Sequence, residues 1–292
     1  LGIIGLPGSG KSVLLTEMIK KFLQDPSSLC YVVDSTGAES IGATHTGVGQ
    51  SAGGMQRLAA VLKGQFVLCD LAEMPNMNPL AIRPRPGEAD DLDKTEDGIP
   101  YVSLAAAARF IETLALPPGR DALDKEHINL ILHVLQRTLY NAQDPDDPPI
   151  MRNFLEQLQT FTSGDTHIAR TAGQLLLWLL AAGDENNPMG RYLNRRDRIF
   201  DPEARFVVFD MHGIERYSEY AKAVMMLVTT FLDRQVIRFS NANRRKLIIY
   251  DEAGRYISGP MGEHMAHFAA VLRKRNAVLA FATQALVDVT SN

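Results

Sequence analysis

The sequence predicts an α/β fold in which a mostly parallel sheet is flanked by helices and interrupted by an inserted all-α subdomain. Short apolar runs typical of buried strands alternate with helical patterns in residues 1–100 and again in residues 201–292. Residues 101–200 show helical periodicity and no convincing strand. A glycine-rich motif separates the first strand from the first helix. We therefore expect a first core segment at 1–100, a helical insert at 101–200 and a second core segment at 201–292.

The bulk composition is that of a water-soluble globular protein. Of the 292 residues, 46% are hydrophobic and 22% are charged. The formal net charge of −4 argues against a basic nucleic-acid clamp that covers the whole chain. The sequence shows no signal peptide and no apolar run of about 18 residues. Because its first residue already lies in the predicted first strand, we expect it to be a fragment of a longer chain.

The first core segment alternates strands and helices. Leu1, Ile3 and Ile4 predict a strand, and a helix begins at about Lys11, where apolar residues recur at helical spacing. The next predicted elements are a strand at 29–33 ending at Asp34, a helix at 55–62 and a strand at 66–69. Cys30 and Cys69 lie in these strands, and we expect both to be buried thiols in a reducing cytosol. Residues 75–98 are rich in proline and acidic side chains, which predicts a solvated linker or loop.

The remaining elements follow the same reasoning. Helical periodicity in the insert predicts helices at 104–116, 124–141, 150–162 and 166–182, with proline-rich breaks between them. In the second core segment, we expect strands at 205–209, 246–250 and 277–282, and helices at 220–239 and 262–275.

The motif near the start of the chain predicts a phosphate-binding loop. Residues 5–12 read G-L-P-G-S-G-K-S, which fits the Walker A pattern G-x-x-x-x-G-K-[ST] between a strand and a helix. Glycines let successive backbone N–H groups turn toward one anion, and the helix dipole points at the same phosphates. Lys11 would reach the β- and γ-phosphates, and the Ser12 hydroxyl would bind Mg²⁺. The residues expected to hold the nucleotide are Gly5, Pro7, Gly8, Ser9, Gly10, Lys11, Ser12 and Val13.

An acidic partner for this loop is expected at the tip of a nearby strand. The strand at 246–250 is followed by Asp251 and Glu252, whereas the strand at 205–209 is followed by Asp210 alone. Asp251 can hold Mg²⁺, through a water molecule, and Glu252 can act as the general base for an attacking water. We prefer this Walker B pair and interpret Asp210 as an ordinary strand-end residue.

Three further residues have weaker signals. Gln284 follows the last strand, where a polar side chain can touch the γ-phosphate or simply form a hydrogen-bonded amide at the strand end. Arg273 and Arg275 end the preceding helix; they can supply a cation for a neighbouring subunit's phosphate or simply form a solvated basic helix end. From spacing alone, these two readings of the arginines stay open.

The phosphate loop GLPGSGKSVLL, the strand with the acidic pair LIIYDEA and the terminal RKRNAVLAFATQ together resemble a known family. They are similar in order and type to the TraC/TraU/DotO-type (VirB-family) ATPases of conjugation and type IV secretion, within the FtsK/HerA-like branch of RecA-fold motors. The segment Met77-Asn78-Pro79-Leu80 also resembles that family's N-P-[LF] segment. The resemblance covers nearly the whole chain, and the helical insert lies where these ATPases carry an all-α subdomain.

The resemblance implies a RecA-like core that hydrolyses ATP with Mg²⁺ as a hexameric or dimer-forming motor. It places Lys11, Ser12 and Asp251 around ATP–Mg²⁺, together with Glu252 and Gln284. It favours Arg273 as the arginine finger, with Arg275 second. It implies partnership with other copies of the chain, with secretion-channel components and with a DNA or protein substrate. The expected location is cytoplasmic, at the inner face of the bacterial inner membrane, reached through parts of the parent chain outside this sequence.

Two departures and two alternatives remain. Gly254 stands where many relatives place tryptophan, and the family's amino-terminal docking domain is missing from this sequence. The first alternative is a DNA translocase or conjugative coupling protein. The second is a nucleotide-dependent assembly switch with slow hydrolysis.

Overall fold

The computed structural model describes residues 2–4, 10–35, 54–84, 93–164, 166–196, 200, 204–237, 241, 243–252 and 259–283. Six strands are formed within them: β1 (Gly2–Ile4), β2 (Leu29–Asp34), β3 (Gln65–Leu68), β4 (Phe206–Asp210), β5 (Lys246–Asp251) and β6 (Ala277–Thr283). They form one sheet in the order β1-β6-β5-β2-β4-β3. Every neighbouring pair is parallel, as predicted from the alternation of strands and helices.

The carboxyl ends of all these strands lie at one edge of the sheet, because the strands are parallel. The Cα atom of Asp34 pairs with that of Asp210 on one side and with that of Asp251 on the other. At the far side of β6, Thr283 pairs with Ile4 of β1. The residues that follow β1, β2, β5 and β6 therefore start from neighbouring points, which we call the carboxyl edge.

The described helices are α1 (Lys11–Phe22), α2 (Gly54–Val61), α3 (Tyr101–Ala115), α4 (Lys125–Asn141), α5 (Met151–Gln159), α6 (His167–Trp178), α7 (Leu180–Gly183), α8 (Pro188–Leu193), α9 (Ala221–Ile237) and α10 (Pro260–Arg273). A 3-10 helix, Met211–Tyr220, precedes α9. The sequence predicted one helix from 220 to 239 and did not predict the 3-10 segment or α8. With six residues, α8 is too short to show a helical period, although Asn187 caps it by accepting a hydrogen bond from the Met189 N–H (2.9 Å).

Two helical layers cover the sheet, and side-chain alternation along β2 assigns residues to each. Cys30 and Val32 lie in a buried cluster with Leu15 of α1 and with residues of α2. Tyr31 and Val33 lie in a second, larger buried cluster with residues of α3, α9 and α10. Successive residues of β2 therefore belong to cores on opposite faces of the sheet. Because Leu15 packs in one of these cores, α1, with Lys11 and Ser12, lies against that face.

The helices α4 to α8 extend the larger of these cores. Helix α3 contacts α9 and α10 as well as α4, so the same buried cluster runs from the sheet into the helical block. The two cysteines are free and fully buried, as predicted. The division of the chain at residues 101 and 200 stays a prediction.

Residues 75–84 form a loop, as predicted, but the prediction that this segment is solvated is wrong. Met77, Leu80 and Ile82 are only 1%, 0% and 4% exposed. These apolar residues are spaced irregularly between prolines and asparagines, so they show neither a helical nor a strand period. Burial here follows from tertiary packing, which no local pattern indicates.

Polar contacts take the place of secondary structure in this segment, which we call the strap (residues 74–84). The Tyr192 hydroxyl donates to the Pro75 carbonyl (3.0 Å) and accepts a hydrogen bond from the Met77 N–H (2.9 Å). The Asn78 amide donates to the Pro149 carbonyl (2.9 Å). Both partners belong to the helical block, so the strap links that block to β3.

Candidate nucleotide-binding site

Helix α1 begins at the carboxyl edge with a glycine in a left-handed conformation. Gly10 has φ 84°, a value that L-residues adopt at a penalty of about 1–2 kcal/mol. It forms no side-chain cap, so the first-turn N–H groups of α1 are suited to an anion. Lys11 and Ser12 are the first two residues of the helix, and the Ser12 carbonyl accepts a hydrogen bond from the Thr16 hydroxyl (2.9 Å).

The side chain of Lys11 forms an ion pair with Glu252. Its Nζ contacts Glu252 Oε1, and the two side chains are 9% and 18% exposed. The pair joins the start of α1 to the residue that follows β5. Lys11 and Glu252, predicted from separate motifs, therefore meet at one point of the carboxyl edge.

Glu252 has a left-handed backbone conformation, which is unusual for a residue other than glycine. Its φ is 54°, and its N–H donates to the Ala282 carbonyl of β6 (2.8 Å). Such conformations cluster at functional sites, where the surrounding structure maintains them. Here the left-handed conformation directly follows β5, and Glu252 lies against Lys11.

Asp251 is a buried carboxyl group, 3% exposed. Its Oδ1 has no hydrogen-bond partner among the described residues, while its carbonyl accepts from the Ser35 N–H (3.0 Å). Burial raises the pKa of Asp251 to about 7; the charge of Asp34 adds to this shift and Lys11 opposes it. An unpaired buried carboxylate oxygen beside further acidic groups fits a hydrated divalent cation, so the donor set is compatible with Mg²⁺.

The rival acidic residue, Asp210, lies farther from the phosphate loop. β2 separates β4 from β5 in the sheet, and β4 is the fifth strand counted from β1. Its Oδ1 accepts a hydrogen bond from the His212 N–H (2.9 Å), which makes a local turn. This environment supports the interpretation of Asp210 as a strand-end residue.

The arginine candidates lie at the opposite edge of the sheet. Arg273 ends α10, directly before the amino end of β6, which is seven residues long and therefore spans about 20 Å. Arg275 is 8% exposed, and its carbonyl accepts a hydrogen bond from Lys246 Nζ (2.8 Å) at the start of β5. Neither lies near Lys11 of its own chain.

Five of the predicted site residues lie at positions that the structure does not describe. Gly5, Pro7, Gly8 and Ser9 of the loop and Gln284 lie outside the described residues. Val13 is described, and its side chain is 68% exposed. The structure also brings in Asp34, which the sequence placed at a strand end without a role.

The two histidines of the H-x-x-H sequence in α10 have different surroundings. His264 is 2% exposed and stacks on Phe268, and burial lowers its pKa to about 3, helped by Arg109 and His267. His267 is exposed. In the part of the chain that is described, no three His, Cys, Asp or Glu side chains are grouped so as to hold a metal ion. No described helix combines the length and hydropathy that a membrane span requires.

Comparison of the chain with known proteins shows similarity in structure only. No family model and no curated protein matches the sequence. VirB4 of Thermoanaerobacter pseudethanolicus is similar in structure, with a TM-score of 0.67 and 18% identity over 98% of this chain and 70% of that chain. The bacterial conjugative coupling protein TrwB, crystallised with sulphate, has a TM-score of 0.52 and 13% identity over 99% of this chain and 64% of that chain.

A second TrwB structure, in complex with the non-hydrolysable ATP analogue ADPNP, also has a TM-score of 0.52, with 14% identity over 99% of this chain. This chain spans 64% and 65% of the two TrwB chains, slightly less than two thirds of their length. At these identities the similarity establishes architecture, and it confirms the α/β fold predicted from the sequence. The chain thus has the fold shared by VirB4 and TrwB.

Proposed function

We propose that this chain is the ATP-hydrolysing part of a motor that energises substrate transfer, or pilus or channel assembly, in a type IV secretion or conjugation system. The observation that carries the proposal is the meeting of Lys11, Asp251 and Glu252 at the carboxyl edge of the sheet. Two independent sequence motifs supply these residues, on a fold similar to that of VirB4.

In this proposal the first turn of α1 and Lys11 bind the phosphates of ATP. Ser12 and Asp251 would hold Mg²⁺, which neutralises charge on the phosphate oxygens when it is bound. Glu252 accepts a proton from the water whose oxygen attacks the γ-phosphorus. The bond from that phosphorus to the bridging oxygen breaks, and the products are ADP and inorganic phosphate.

The Lys11–Glu252 ion pair gives the two residues a shared role. Phosphate oxygens compete with the Glu252 carboxylate for the Lys11 ammonium, because both are anionic acceptors. When Lys11 turns to phosphate, Glu252 becomes available to a water molecule. Substrate binding and activation of the base are then coupled through one cation.

The position of Arg273 supports an assembly of several copies. An arginine about 20 Å along the sheet from the phosphate loop acts only on the nucleotide of another chain. We therefore propose a ring or dimer in which Arg273 faces a neighbouring site, at the cytoplasmic face of the inner membrane. Channel components and a DNA or protein substrate are its proposed partners.

Two other functions compete with this proposal. Similarity to the coupling protein TrwB favours a DNA translocase, at a lower TM-score than that of VirB4. A nucleotide-dependent switch would use the same phosphate contacts without efficient hydrolysis.

Phosphate release from ATP, measured at increasing protein concentration with and without DNA, tests these functions. We expect turnover that rises with concentration, that DNA leaves unchanged and that Lys11→Ala abolishes. Faster phosphate release in the presence of DNA would favour the translocase. Nucleotide binding without turnover at any concentration would leave the switch as the better account.

A further inference from the structure

Asp34 lies beside Asp251 on the adjacent strand of the sheet. Their Cα atoms are register partners in β2 and β5, and parallel strands are about 4.8 Å apart. Partner residues in parallel strands present their side chains to the same face. The contact is also electrostatic, since the charge of Asp34 contributes to the raised pKa of Asp251.

Three carboxylates lie close together at this point of the carboxyl edge. The charges of Asp34 and Glu252 both raise the pKa of Asp251, and the charge of Lys11 lowers it. The ammonium of Lys11 contacts Glu252. Carboxylates close together in a partly buried site repel one another, and a divalent cation between them offsets that repulsion.

The geometry suits a hydrated ion better than a closed cage of protein ligands. No group of three acidic side chains in the described residues is arranged to bind a metal directly. Mg²⁺ usually keeps several waters and uses one or two carboxylates together with substrate phosphates. A second carboxylate one strand away is then within reach of a metal-bound water.

We propose that Asp34 is a further residue of the magnesium site, where it would accept a hydrogen bond from one water of the ion and Asp251 from another. The inference rests on the proposed function, because it takes Asp251 as part of that site. It adds β2 to the elements that build the site. Asp34 then orients the ion relative to the phosphates and does not itself react.

The chain supplies a matched control for this role. Asp210 is the register partner of Asp34 on its other side, so the three aspartates end neighbouring strands in the series β5, β2, β4. Asp210 lies one strand farther from Asp251 and caps a local turn through His212. Asparagine retains the acceptor oxygen that this turn requires.

The test measures binding of Mn²⁺, observed by electron paramagnetic resonance, to the chain saturated with ADP. Wild type, Asp34→Asn, Asp210→Asn and Asp251→Asn are compared. We expect Asp34→Asn to weaken Mn²⁺ binding about tenfold, as loss of an outer partner of a metal site does, and Asp210→Asn to leave it unchanged. ADP affinity in EDTA should be equal in wild type and Asp34→Asn, because Asp34 acts on the ion.

A structural role for Asp34 would give a different pattern. Without metal, a role confined to the ion predicts that Asp34→Asn melts close to wild type, because asparagine keeps the size and the acceptor oxygen of the side chain. Asp34→Glu keeps the carboxylate and should recover part of the Mn²⁺ affinity. A lower melting temperature with equal loss of ADP affinity in EDTA, or no recovery with glutamate, would overturn the inference.

The remaining outcomes separate the inference from the proposed function. If Asp251→Asn weakens Mn²⁺ binding and Asp34→Asn does not, the inference fails and the assignment of Asp251 stands. If Asp251→Asn binds Mn²⁺ as wild type does, the metal site itself is wrongly placed, and the inference about Asp34 fails as well.

Discussion

At the scale of single residues, the site depends on two backbone conformations that L-residues avoid. These are the conformations of Gly10, at φ 84° before α1, and of Glu252, at φ 54° after β5. Glycine occupies the first position and adopts a positive φ freely, whereas glutamate occupies the second. The difference indicates that the side chain of Glu252 is needed where it lies, since glycine would adopt the same conformation without strain.

Replacing Glu252 by glutamine should separate binding from hydrolysis. The amide keeps the size of the side chain but cannot accept a proton, so we expect turnover to fall about 10²- to 10⁴-fold. ATP binding should persist, because phosphate no longer competes with a carboxylate for Lys11. Phosphate release and fluorescent-nucleotide titration measure the two effects.

Glu263 on α10 provides the control for that substitution. Its side chain is 64% exposed and pairs with Arg109 of α3. Glu263→Gln should retain wild-type turnover. Wild-type turnover by Glu252→Gln would mean that another group is the base.

Two glycine substitutions test whether conformation, and not space, makes Gly10 necessary. A Cβ atom at Gly10 would meet nothing within 4 Å, as at Gly173 of α6, which lacks a positive φ. Gly10→Ala should destabilise the fold by about 1–2 kcal/mol, because alanine resists φ 84°. Gly173→Ala should instead stabilise it by about 0.5–1 kcal/mol.

Urea unfolding of the two variants measures these effects. The same sign for both, whether gain or loss, would contradict the conformational explanation. Nucleotide affinity should fall only in Gly10→Ala, since only that residue precedes Lys11.

At the scale of elements, β5 connects a buried lysine at its amino end to the acidic pair at its carboxyl end. Lys246 is fully buried, and its Nζ donates to the carbonyls of Arg244 (2.9 Å) and Arg275 (2.8 Å). Burial lowers the pKa of Lys246 to about 8, with the charges of Arg275 and Arg244 adding to the effect. These bonds fix where β5 and β6 begin, and therefore which residues reach the carboxyl edge.

The lowered pKa of Lys246 predicts how stability changes with pH. Between about pH 8 and pH 10 the unfolded chain keeps the proton on Lys246 and the folded chain loses it, so this residue's contribution to stability rises with pH. Wild type should therefore gain stability relative to Lys246→Met over this interval. Urea unfolding of both proteins at several pH values measures the difference, and a difference that shrinks as pH rises would contradict the prediction.

The elements also show what the sequence could and could not predict. Strands β2, β4 and β5 were predictable because each is an apolar run ending in aspartate. The neighbour relation of Asp34 and Asp251 was not, because strand order depends on contacts between residues more than 200 positions apart. The left-handed conformation of Glu252 was not predictable either, because glutamate gives no local signal for a positive φ.

At the scale of the whole molecule, the two edges of the sheet carry different parts of one proposed site. Lys11 and Glu252 meet at the carboxyl edge, and Arg273 ends α10 at the other. A single chain cannot bring them together. The proposed site then needs two chains, so turnover should rise with protein concentration.

Mixing two inactive variants tests this arrangement. Arg273→Ala should lower turnover about 10³-fold while nucleotide binding persists, as loss of an arginine finger does. Lys11→Ala should lose nucleotide binding. A mixture should recover activity, because intact Lys11 and Arg273 then meet across some interfaces.

The neighbouring Lys274 is the control, because its side chain is exposed at the same helix end. Lys274→Ala should behave as wild type. Absence of recovery in the mixture, with both variants folded and assembled, would exclude Arg273 as a residue acting in trans.

The strap has a consequence for how the molecule unfolds. Tyr192 and Pro149 of the helical block hold it, and its side chains Met77 and Leu80 are buried in the cluster that the block shares with the sheet. Unfolding of either the helical block or the sheet would remove packing and hydrogen-bond partners from the other. Calorimetry should therefore show one cooperative transition. Two separate heat-absorption peaks would instead mean that the block is an autonomous folding unit.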